Sequence, residues 1–477
     1  MVFGCAFLLR ILYLSHFDIA LDEPFSLFIS QKSIPEIYAI TLSGNNLPLY
    51  EFLLHYWIDI FGMDAWSVRL PSAILSSLTA CILFLLGDTF INKRVGLFAS
   101  ALFTLSTMQI FFAHEARVYP LFILLTSMSL YAFLSICKFN KKIDYFKLLL
   151  INTALIYAHY FGFFVLITEA VCFLFFFKEK KVYVRFLLIY LVLQLLVYFP
   201  VIQIFLTRAN NSLASGTWVA PPHASELYGN INRFLNDKWV TATFLFAAIL
   251  FVLRTVLQKK VEPLKNVIAR FTIEQRIITV FFVLPYLCMF LLSFQAPMFI
   301  DRYILFTTIP LYLLLALLIH HLAHSDKVFI LATSMICFTQ VCFLNVRPDN
   351  NRRLKQVADS IHTFIDEARK LKQPYLVVIA PSYADLGITY HYNKAYFQDY
   401  SNYQQLLKHD GIVTANDVED YLQYSNMHAK RVLLIEAGNE FVDPEHKLKK
   451  HLTDSFHVIH SQNVFEIYTL ITLESQK

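Results

Sequence analysis

Apolar residues occur along the chain in blocks of about 17 to 25, the length of a helix that crosses a hydrocarbon core about 30 Å thick. We predict a first span at residues 2–14, because no small-residue cleavage site of a signal peptide follows it; an N-terminal extension beyond this chain stays open. Ten further spans are predicted at 66–90, 94–112, 119–137, 146–160, 162–177, 184–206, 240–257, 277–295, 303–322 and 327–345.

The pattern changes after residue 345. "YLVVIAP", "RVLLIEA" and "VFEIYTLITL" are short apolar runs that predict strands, and apolar positions from Leu354 to Ala368 recur at helical spacing. We therefore predict a mainly α polytopic membrane protein of about eleven transmembrane helices, with a transmembrane catalytic domain at 1–345 and a C-terminal soluble α/β domain at 346–477. Between the first two spans, "NNLPLYEFLLHYWIDIFG" predicts an interfacial helix rather than a span, because Glu51, His55 and Asp59 interrupt it.

Composition excludes a soluble chain. Hydrophobic residues make up 57% of the sequence and charged residues 16%, against about 45 to 50% and about 25% in soluble domains. The net charge of +5 does not indicate nucleic-acid binding, since the cations form short clusters between apolar blocks. The seven cysteines show neither disulfide nor metal spacing, and we interpret them as small hydrophobic residues of the bundle.

Loop charges predict the orientation. Alternate loops hold seventeen lysines and arginines in one set and six in the other, and short cytoplasmic loops carry the excess. The N-terminus is therefore expected in the cytoplasm, and the C-terminal domain outside. The cytoplasmic loops are too short for a nucleotide-binding domain.

Three of the outer loops carry candidate chemistry. Asp22 and Glu23 follow the first span, where a carboxylate can accept a proton from an attacking group; a helix cap is the alternative. "HEARVY" links two spans, and so many polar groups in a short link should face a polar cavity; an ion pair between Glu115 and Arg117 is the alternative. "APMFIDRY" places Asp301 and Arg302 at a span boundary, where snorkelling is the alternative.

An ordered set of motifs then resembles a known family. "DEPFS", "NNLPLYEFLLHYWIDIFG", "VRLPSAI", "NKRVGLFASALFTLS", "HEARVYPLFILL", "AHYFGFFVL", "GTWVAPP" and "APMFIDRYILFTTIPLYLLLAL" are similar to the GT-C superfamily of membrane glycosyltransferases. The resemblance is to the branch of protein O-mannosyltransferases and lipid A aminoarabinose transferases, and it covers about residues 1–345. It implies a bacterial inner-membrane enzyme of the cell envelope that uses a polyprenyl-phosphate sugar donor.

The resemblance also implies roles for individual residues. Asp22 matches the catalytic aspartate, Glu23 its neighbour, and Glu115 and Arg117 the second acidic and basic motif. Arg302 falls on an Arg-Tyr pair near the donor phosphate, and Lys32 is a weaker cation candidate. The substrate cavity is expected to include Tyr50, His55, His114, Tyr119, His159, Trp218 and Tyr303. The chain departs from the family at Asn45 and Asn46, where a proline-rich run with a histidine is common and where this sequence has no histidine.

The expected chemistry is one inverting displacement. The polyprenyl phosphate leaves as an anion, which cationic side chains stabilise. Transfer with retention needs two carboxylates about 5 to 5.5 Å apart, whereas the side chains of adjacent residues such as Asp22 and Glu23 usually diverge, so inversion is expected. The scheme needs no cofactor; a divalent cation on Asp22, Glu115, His114 and His159 is an alternative. The acceptor is expected to be a lipid, a glycan or a protein. The other expected binding partners of the enzyme are the polyprenyl-phosphate sugar donor and membrane lipids.

Two other functions stay open. A transporter or flippase of lipid-linked glycans would use groups near the middle of its spans, and a polymerase or ligase of surface polysaccharide would share the same face. The C-terminal domain carries no catalytic motif, so we expect it to be separable from the chemistry.

Overall fold

The structure is a computed structural model that describes residues 1–43, 46–176, 184–215, 219–257, 271–349, 352–424, 427–438, 442–465 and 467–475. Its internal contacts divide the chain into two compact units. The first, here the helical unit, comprises Met1–Leu14, Pro35–Leu53 and Trp66–Pro348. The second, here the tail unit, comprises Ser15–Ile34, Leu54–Ala65 and Asp349–Lys477. Two segments of the first loop therefore group with the C-terminal residues, a division that differs from the predicted one at residue 345.

Helices account for most of residues 1–348. They are α1 (Val2–Ile11), α2 (Glu23–Ser30), α3 (Ile34–Ser43), α4 (Pro48–Phe61), α5 (Ala65–Phe90), α6 (Lys93–Thr104), α7 (Thr107–Ala113), α8 (Tyr119–Phe139), α9 (Lys142–Ala158), α10 (Gly162–Phe176), α11 (Val184–Ser215), α12 (Glu226–Phe234), α13 (Lys238–Leu257), α14 (Ile273–Leu292), α15 (Asp301–Ile304), α16 (Thr308–Leu322) and α17 (Asp326–Cys342).

Every predicted span coincides with one or two of these helices, but not all of the helices have the length of a span. Four are long and apolar enough to cross a membrane: Ala65–Phe90, Tyr119–Phe139, Ile273–Leu292 and Asp301–Leu322. Two bent pairs raise the number to six, one of them α6 with α7, which meet at 63°. Among the residues described, the chain is therefore mainly helical with four to six apolar spans, and the predicted number of eleven is not confirmed.

Small residues allow α5 and α6 to approach closely. A Cβ atom built on Gly87 would lie 2.2 Å from the Cα of Gly96, so neither position accepts a side chain without a shift. The turn between them ends at Asn92, whose Oδ1 accepts a hydrogen bond from the backbone N–H of Val95 and caps α6. Close backbone approach at glycines is a common way for membrane helices to associate.

A buried arginine joins α1 to α5 and α6. The Nε of Arg10 donates to Ser76 Oγ at 2.7 Å, and its two terminal nitrogens donate to the carbonyls of Ala6 and Phe103 at 3.0 and 3.4 Å. These bonds offset the cost of removing a guanidinium from water. The position of α1 against the two hairpin helices is thus set by a polar contact.

Another polar network lies inside α8 to α11. Ser129 and Asn152 contact the two carboxyl oxygens of Glu169 at 2.5 and 2.6 Å, and Asn152 also contacts the Tyr190 hydroxyl at 2.7 Å. Both oxygens of this carboxyl group therefore have a partner within the bundle.

The tail unit contains a five-stranded sheet of order β2-β1-β3-β5-β4. The strands are β1 (Tyr375–Ala380), β2 (Ile412–Thr414), β3 (Arg431–Ala437), β4 (Phe456–Val464) and β5 (Tyr468–Ser475). The first three strands are parallel, and β5 and β4 are antiparallel additions. The helices are α18 (Leu354–Lys370), α19 (Asp385–Tyr392), α20 (Lys394–Gln398), α21 (Tyr403–His409), α22 (Val418–Leu422) and α23 (Lys447–Ser455).

Three of these strands match predicted runs. "YLVVIAP", "RVLLIEA" and "VFEIYTLITL" contain β1, β3 and β5, which are the three central and most buried parts of the sheet. Strands β2 and β4 had not been predicted. Parallel strands flanked by helices, with an antiparallel edge, form a common α/β arrangement.

Candidate functional site

The predicted catalytic pair lies in a tight turn of the tail unit. Leu21 has a left-handed backbone with φ 57°, and Asp22 precedes the first residue of α2. Glu23 is 1% exposed, and its Oε2 accepts a hydrogen bond from the N–H of Ala20 at 3.2 Å. The Glu23 N–H donates in turn to the carbonyl of Ala20 at 3.1 Å. The Glu23 carboxylate therefore closes the turn that presents Asp22.

The Asp22 side chain does not act as a helix cap. It stands at the N-cap position of α2, yet its carboxylate accepts no capping hydrogen bond there, and it is only half-buried. A left-handed residue that is neither glycine nor asparagine costs energy, and such residues concentrate at functional sites. The cap alternative thus finds no support in the geometry.

Lys32 also lies in the tail unit, just beyond α2. Its ammonium stands 4.1 Å from the ring centroid of Tyr400 and 5.1 Å from that of Phe28. Cation–π contacts of this kind hold the side chain in place. Its predicted role at the donor phosphate stays a prediction.

The "HEARVY" link is buried in the helical unit. His114 and Glu115 are each 7% exposed, Arg117 is 6% exposed, and Tyr119 begins α8. The link is held from two sides, since His114 Nε2 contacts the carbonyl of Arg10 at 2.9 Å and Ser72 Oγ donates to the carbonyl of Arg117 at 3.5 Å. Four polar or charged side chains are thus fixed between two apolar helices.

His114 is a neutral imidazole in this setting. Burial, with smaller contributions from the guanidinium groups of Arg69 and Arg10, lowers its pKa to about 4, although the hydrogen bond to the carbonyl of Arg10 opposes the shift. A backbone carbonyl can only accept, so Nε2 carries the proton and Nδ1 keeps its lone pair. The ring is therefore oriented by α1.

Arg117 reaches a residue that the sequence pattern had not indicated. Its Nη2 donates to Asn46 Oδ1 at 3.4 Å, and the Asn46 amide donates to Glu51 Oε1 at 3.3 Å. Glu51 is 1% exposed and lies in the first turn of α4 beside Tyr50, which is also 1% exposed. The sequence signal that could have indicated this contact is Glu51, an acid within an otherwise apolar helix, whereas Asn46 itself gives no such signal.

Aromatic rings bring distant residues together beside this link. The His159 ring stacks on Phe122 at 4.7 Å, and its centroid lies 6.0 Å from both Tyr119 and Tyr303. Each tyrosine lies near an arginine, because Arg117 stands 6.0 Å from the Tyr119 ring and Arg302 5.9 Å from the Tyr303 ring. The predicted residues Arg117, Tyr119, His159, Arg302 and Tyr303 therefore form one cluster in the helical unit.

The other predicted cavity residues are more dispersed. Tyr50 is buried, and its hydroxyl lies 3.3 Å from Ser72 Oγ, beside the link. His55 belongs to the tail unit, where Nδ1 contacts the carbonyl of Ser30 at 2.8 Å. Trp218 and Asn45 lie outside the described residues.

No metal-binding cluster is found in the described part of the chain. No three His, Cys, Asp or Glu side chains there lie close enough together to hold an ion. The alternative of a divalent cation on Asp22, Glu115, His114 and His159 stays untested.

Comparison with known proteins finds a family match over part of the chain and solved structures with a similar fold. Residues 45–206, less than half of the chain, match the family described as dolichyl-phosphate-mannose-protein mannosyltransferase. The apo structure of ArnT from Cupriavidus metallidurans is similar with a TM-score of 0.62 and 11% identity, covering 99% of this chain and 97% of that chain.

A second structure of that protein, bound to undecaprenyl phosphate, gives a TM-score of 0.60 with the same identity and coverage. No curated protein matches the chain by sequence. At this identity the likeness concerns the fold, and it extends over both units. The family match and the fold together confirm the resemblance of this chain to the GT-C membrane glycosyltransferases, in the branch of ArnT and the protein mannosyltransferases.

Proposed function

We propose that the chain is an integral membrane glycosyltransferase that transfers a sugar from a polyprenyl-phosphate donor to an acceptor outside the cytoplasm. The observation that carries the proposal is the cluster of Arg117, Tyr119, His159, Arg302 and Tyr303, formed in a chain that shares the fold of ArnT. The ArnT structure that contains undecaprenyl phosphate supports a lipid-phosphate donor. The sugar is a hexose or a pentose, and the acceptor a lipid, a glycan or a protein.

Arg117 and Arg302 bind the donor phosphate in this proposal. A guanidinium can donate two parallel hydrogen bonds to phosphate oxygens, and such charge-assisted bonds are strong in a site that excludes water. The rings of Tyr119, His159 and Tyr303 provide flat surfaces of the kind that contact a sugar or a prenyl chain. As the sugar leaves, the arginines stabilise the second negative charge that develops on the phosphate.

Asp22 acts as the general base. The acceptor hydroxyl or amine gives its proton to the Asp22 carboxylate while its oxygen or nitrogen bonds to the anomeric carbon. The bond from that carbon to the phosphate oxygen breaks, and its electron pair stays on the polyprenyl phosphate. A single displacement inverts the anomeric centre, and it needs neither a second nucleophilic carboxylate nor a metal.

The proposed topology has eleven spans in a bacterial inner membrane, with a cytoplasmic N-terminus and the C-terminal domain outside. The excess of lysine and arginine in alternate loops supports it. Several of those cations are in 177–183 and 258–270, outside the described residues. The shorter apolar helices Val2–Ile11 and Gly162–Phe176 are counted as spans in this proposal.

A transporter is the weaker candidate. A transporter would need an ionisable group near the middle of its spans, and Glu169 is an acid of α10 whose two carboxyl oxygens contact Ser129 and Asn152 within the bundle. A polymerase or ligase would differ by its donor, because it would consume a lipid that carries a long glycan.

The proposal is tested with purified protein in liposomes. The donors are polyprenyl phosphates that carry mannose or aminoarabinose, compared with a long-chain lipid-linked glycan. Transfer from a monosaccharide donor is expected, and Arg117→Ala and Arg302→Ala should each lower kcat/KM about 10- to 100-fold, since each loses a charge-assisted contact of about 1.5 to 3 kcal/mol.

Arg94→Ala is the matched control, because Arg94 pairs with exposed Asp326 and lies outside the cluster. Consumption of the long-chain lipid alone would favour the polymerase or ligase. Full activity in both cluster variants would remove the phosphate assignment.

A further inference from the structure

The segment that carries Asp22 is bound to the C-terminal residues immediately before the turn. Asp18 Oδ2 accepts a hydrogen bond from the backbone N–H of Lys355 at 2.9 Å, and the Lys355 ammonium stands 3.7 Å from Asp18 Oδ1. Lys355 is in the first turn of α18, whose N–H groups have no partner within the helix and favour an anion. Asp18 therefore caps a helix that begins more than 300 residues later.

A second hydrogen bond fixes the next residue. His391 Nε2 lies 2.9 Å from the carbonyl of Ile19, and because a carbonyl can only accept, the imidazole donates. His391 is in the last turn of α19, so the carbonyl three residues before Asp22 is tied to that helix.

Ala20 completes the attachment on this side. It is 1% exposed and belongs to the hydrophobic core of the α/β domain, together with residues of α18, α19 and the sheet. Those core neighbours include Leu354, Val357, Ile361, Ile388, Val377 and Ile435. The residue whose N–H bonds to Glu23 is thus part of the core of the C-terminal domain.

The helix that follows Asp22 is held by the same domain. Gly387 of α19 lies beside Pro24, since a Cβ atom on Gly387 would stand at van der Waals distance, 3.6 Å, from Pro24 Cγ, and it would approach Leu354 Cδ1 more tightly, at 3.1 Å. The Phe28 ring makes edge contacts with Tyr403 and Phe397 at 5.0 and 5.7 Å. Gln31 donates to the carbonyl of Phe397 at 3.2 Å.

An isolated segment of this length would not keep such a geometry. Helix α2 has eight residues, and helices shorter than about 12 residues are marginal in water. The left-handed residue Leu21 adds a local cost that the surroundings must offset. Contacts on both sides of the turn, from the helices and the sheet of the C-terminal domain, supply what the local sequence lacks.

We infer that the C-terminal domain positions the general base, with His391 and Asp18 as positioning residues for the Asp22 turn. This inference rests on the proposed function of Asp22 and opposes the expectation that the domain is separable from the chemistry. A displacement of about 1 Å at a reacting group can lower a rate about 100-fold. The domain therefore controls kcat rather than donor binding.

The test compares two histidines in the full chain. His391→Ala removes the bond to Ile19, whereas His362→Ala removes a similar bond, 3.2 Å long, to the carbonyl of Tyr392 within the C-terminal domain. Two quantities are measured: amide hydrogen exchange in residues 16–31, and kcat and KM for the polyprenyl-phosphate donor.

His391→Ala should raise exchange in residues 16–31 at least about tenfold and lower kcat about 10- to 100-fold with KM unchanged. Asp18→Ala should act in the same direction. His391→Gln, which can still donate from Nε2, should restore part of both quantities, and His362→Ala should change neither.

Unchanged exchange in both His391→Ala and Asp18→Ala would overturn the inference, whatever the transfer assay gives. Raised exchange with kcat equal to that of His362→Ala would also overturn it, provided that Asp22→Asn is inactive. If Asp22→Asn retains full activity, the assignment of the base fails instead, so the two failures are distinguished.

Discussion

Asp22 and Glu23 are neighbours in sequence, but their environments differ. Glu23 is buried and bonds to the backbone of Ala20, whereas Asp22 is half-buried and makes no capping bond to α2. A carboxylate with both a fixed backbone and a solvent-accessible side chain is suited to exchange a proton with an acceptor. Glu23 therefore shapes the turn, and Asp22 is the acid that we propose as the general base.

Substitution of Asp22 tests this division. Asp22→Asn keeps the shape but removes the proton acceptor, so the transfer rate should fall about 10²- to 10⁴-fold with the donor KM little changed. Asp22→Ala should have a transfer rate similar to that of Asp22→Asn and a melting temperature equal to that of the parent. A capping role would instead leave Asp22→Asn active and make Asp22→Ala less stable by about 1 kcal/mol. Transfer rates and melting temperatures of both variants are to be measured.

The sequence indicated some of these residues and missed others for a physical reason. Asp22, Glu115 and Arg302 stand out because charges next to apolar blocks are costly and therefore rare. Asn46 does not stand out, since an amide in a polar loop is ordinary, and its contacts with Arg117 and Glu51 exist only after folding. The sequence pattern indicates individual charged residues, but it does not indicate which residues contact each other after folding.

At the scale of elements, helix α19 begins with a buried acid. The carboxyl group of Asp385 accepts a hydrogen bond from the Tyr403 hydroxyl at 3.0 Å, and burial raises its pKa to about 6. The folded chain thus holds this proton more tightly than the unfolded chain, whose aspartates have a pKa near 3.9. The protonated Asp385 carboxyl group therefore stabilises the folded chain; this contribution is fully present below about pH 4 and is lost as the pH rises through 6.

Asp385→Asn should therefore raise the melting temperature at neutral pH. The amide oxygen still accepts from Tyr403, and the desolvation of a charge, on the order of 3 kcal/mol for a shift of about two pKa units, is avoided. The measurement is the melting temperature of parent and variant between pH 4 and 8. The two curves should converge at low pH; a constant difference across the range would show that the charge is not its cause.

Long elements were predictable, and short or exposed ones were not. Blocks of apolar residues gave α5, α8 and α14 within a few residues, because length and hydropathy alone define a span. Strand β2 has only three residues, and β4 is exposed on both faces, so neither shows an alternating pattern. The 63° bend between α6 and α7 occurs within one predicted span, because the two helices together are apolar enough for a single span.

At the scale of the whole molecule, loop charges make a prediction of orientation. A reporter enzyme that is active only outside the cytoplasm, fused after Arg347, should be active, because the cationic excess is expected inside. A fusion after Lys142 should be silent and serves as the control. The reverse pattern of the two fusions would invert the proposed topology and place the Asp22 turn in the cytoplasm.

The division into units was beyond the reach of sequence reasoning. Residues 15–34 lie between two predicted spans, so the sequence assigns them to the predicted transmembrane domain. The contacts that they make with residues 349–477 include those of Asp18 and Ile19, which follow no periodic pattern. Periodicity predicts which elements form, but it does not predict which elements meet.

The hydrogen bond from His391 to Ile19 joins residues that are 372 positions apart. Ribosomes add about 5 to 20 residues per second, so on the order of 20 to 70 s separate the synthesis of its two partners. During that time the segment around Asp22 exists without the helices that hold it, while the intervening spans are inserted. If the C-terminal domain positions Asp22 as we infer, a nascent or prematurely terminated chain would reside in the membrane with its general base unpositioned, and full activity would need the helices that hold the turn.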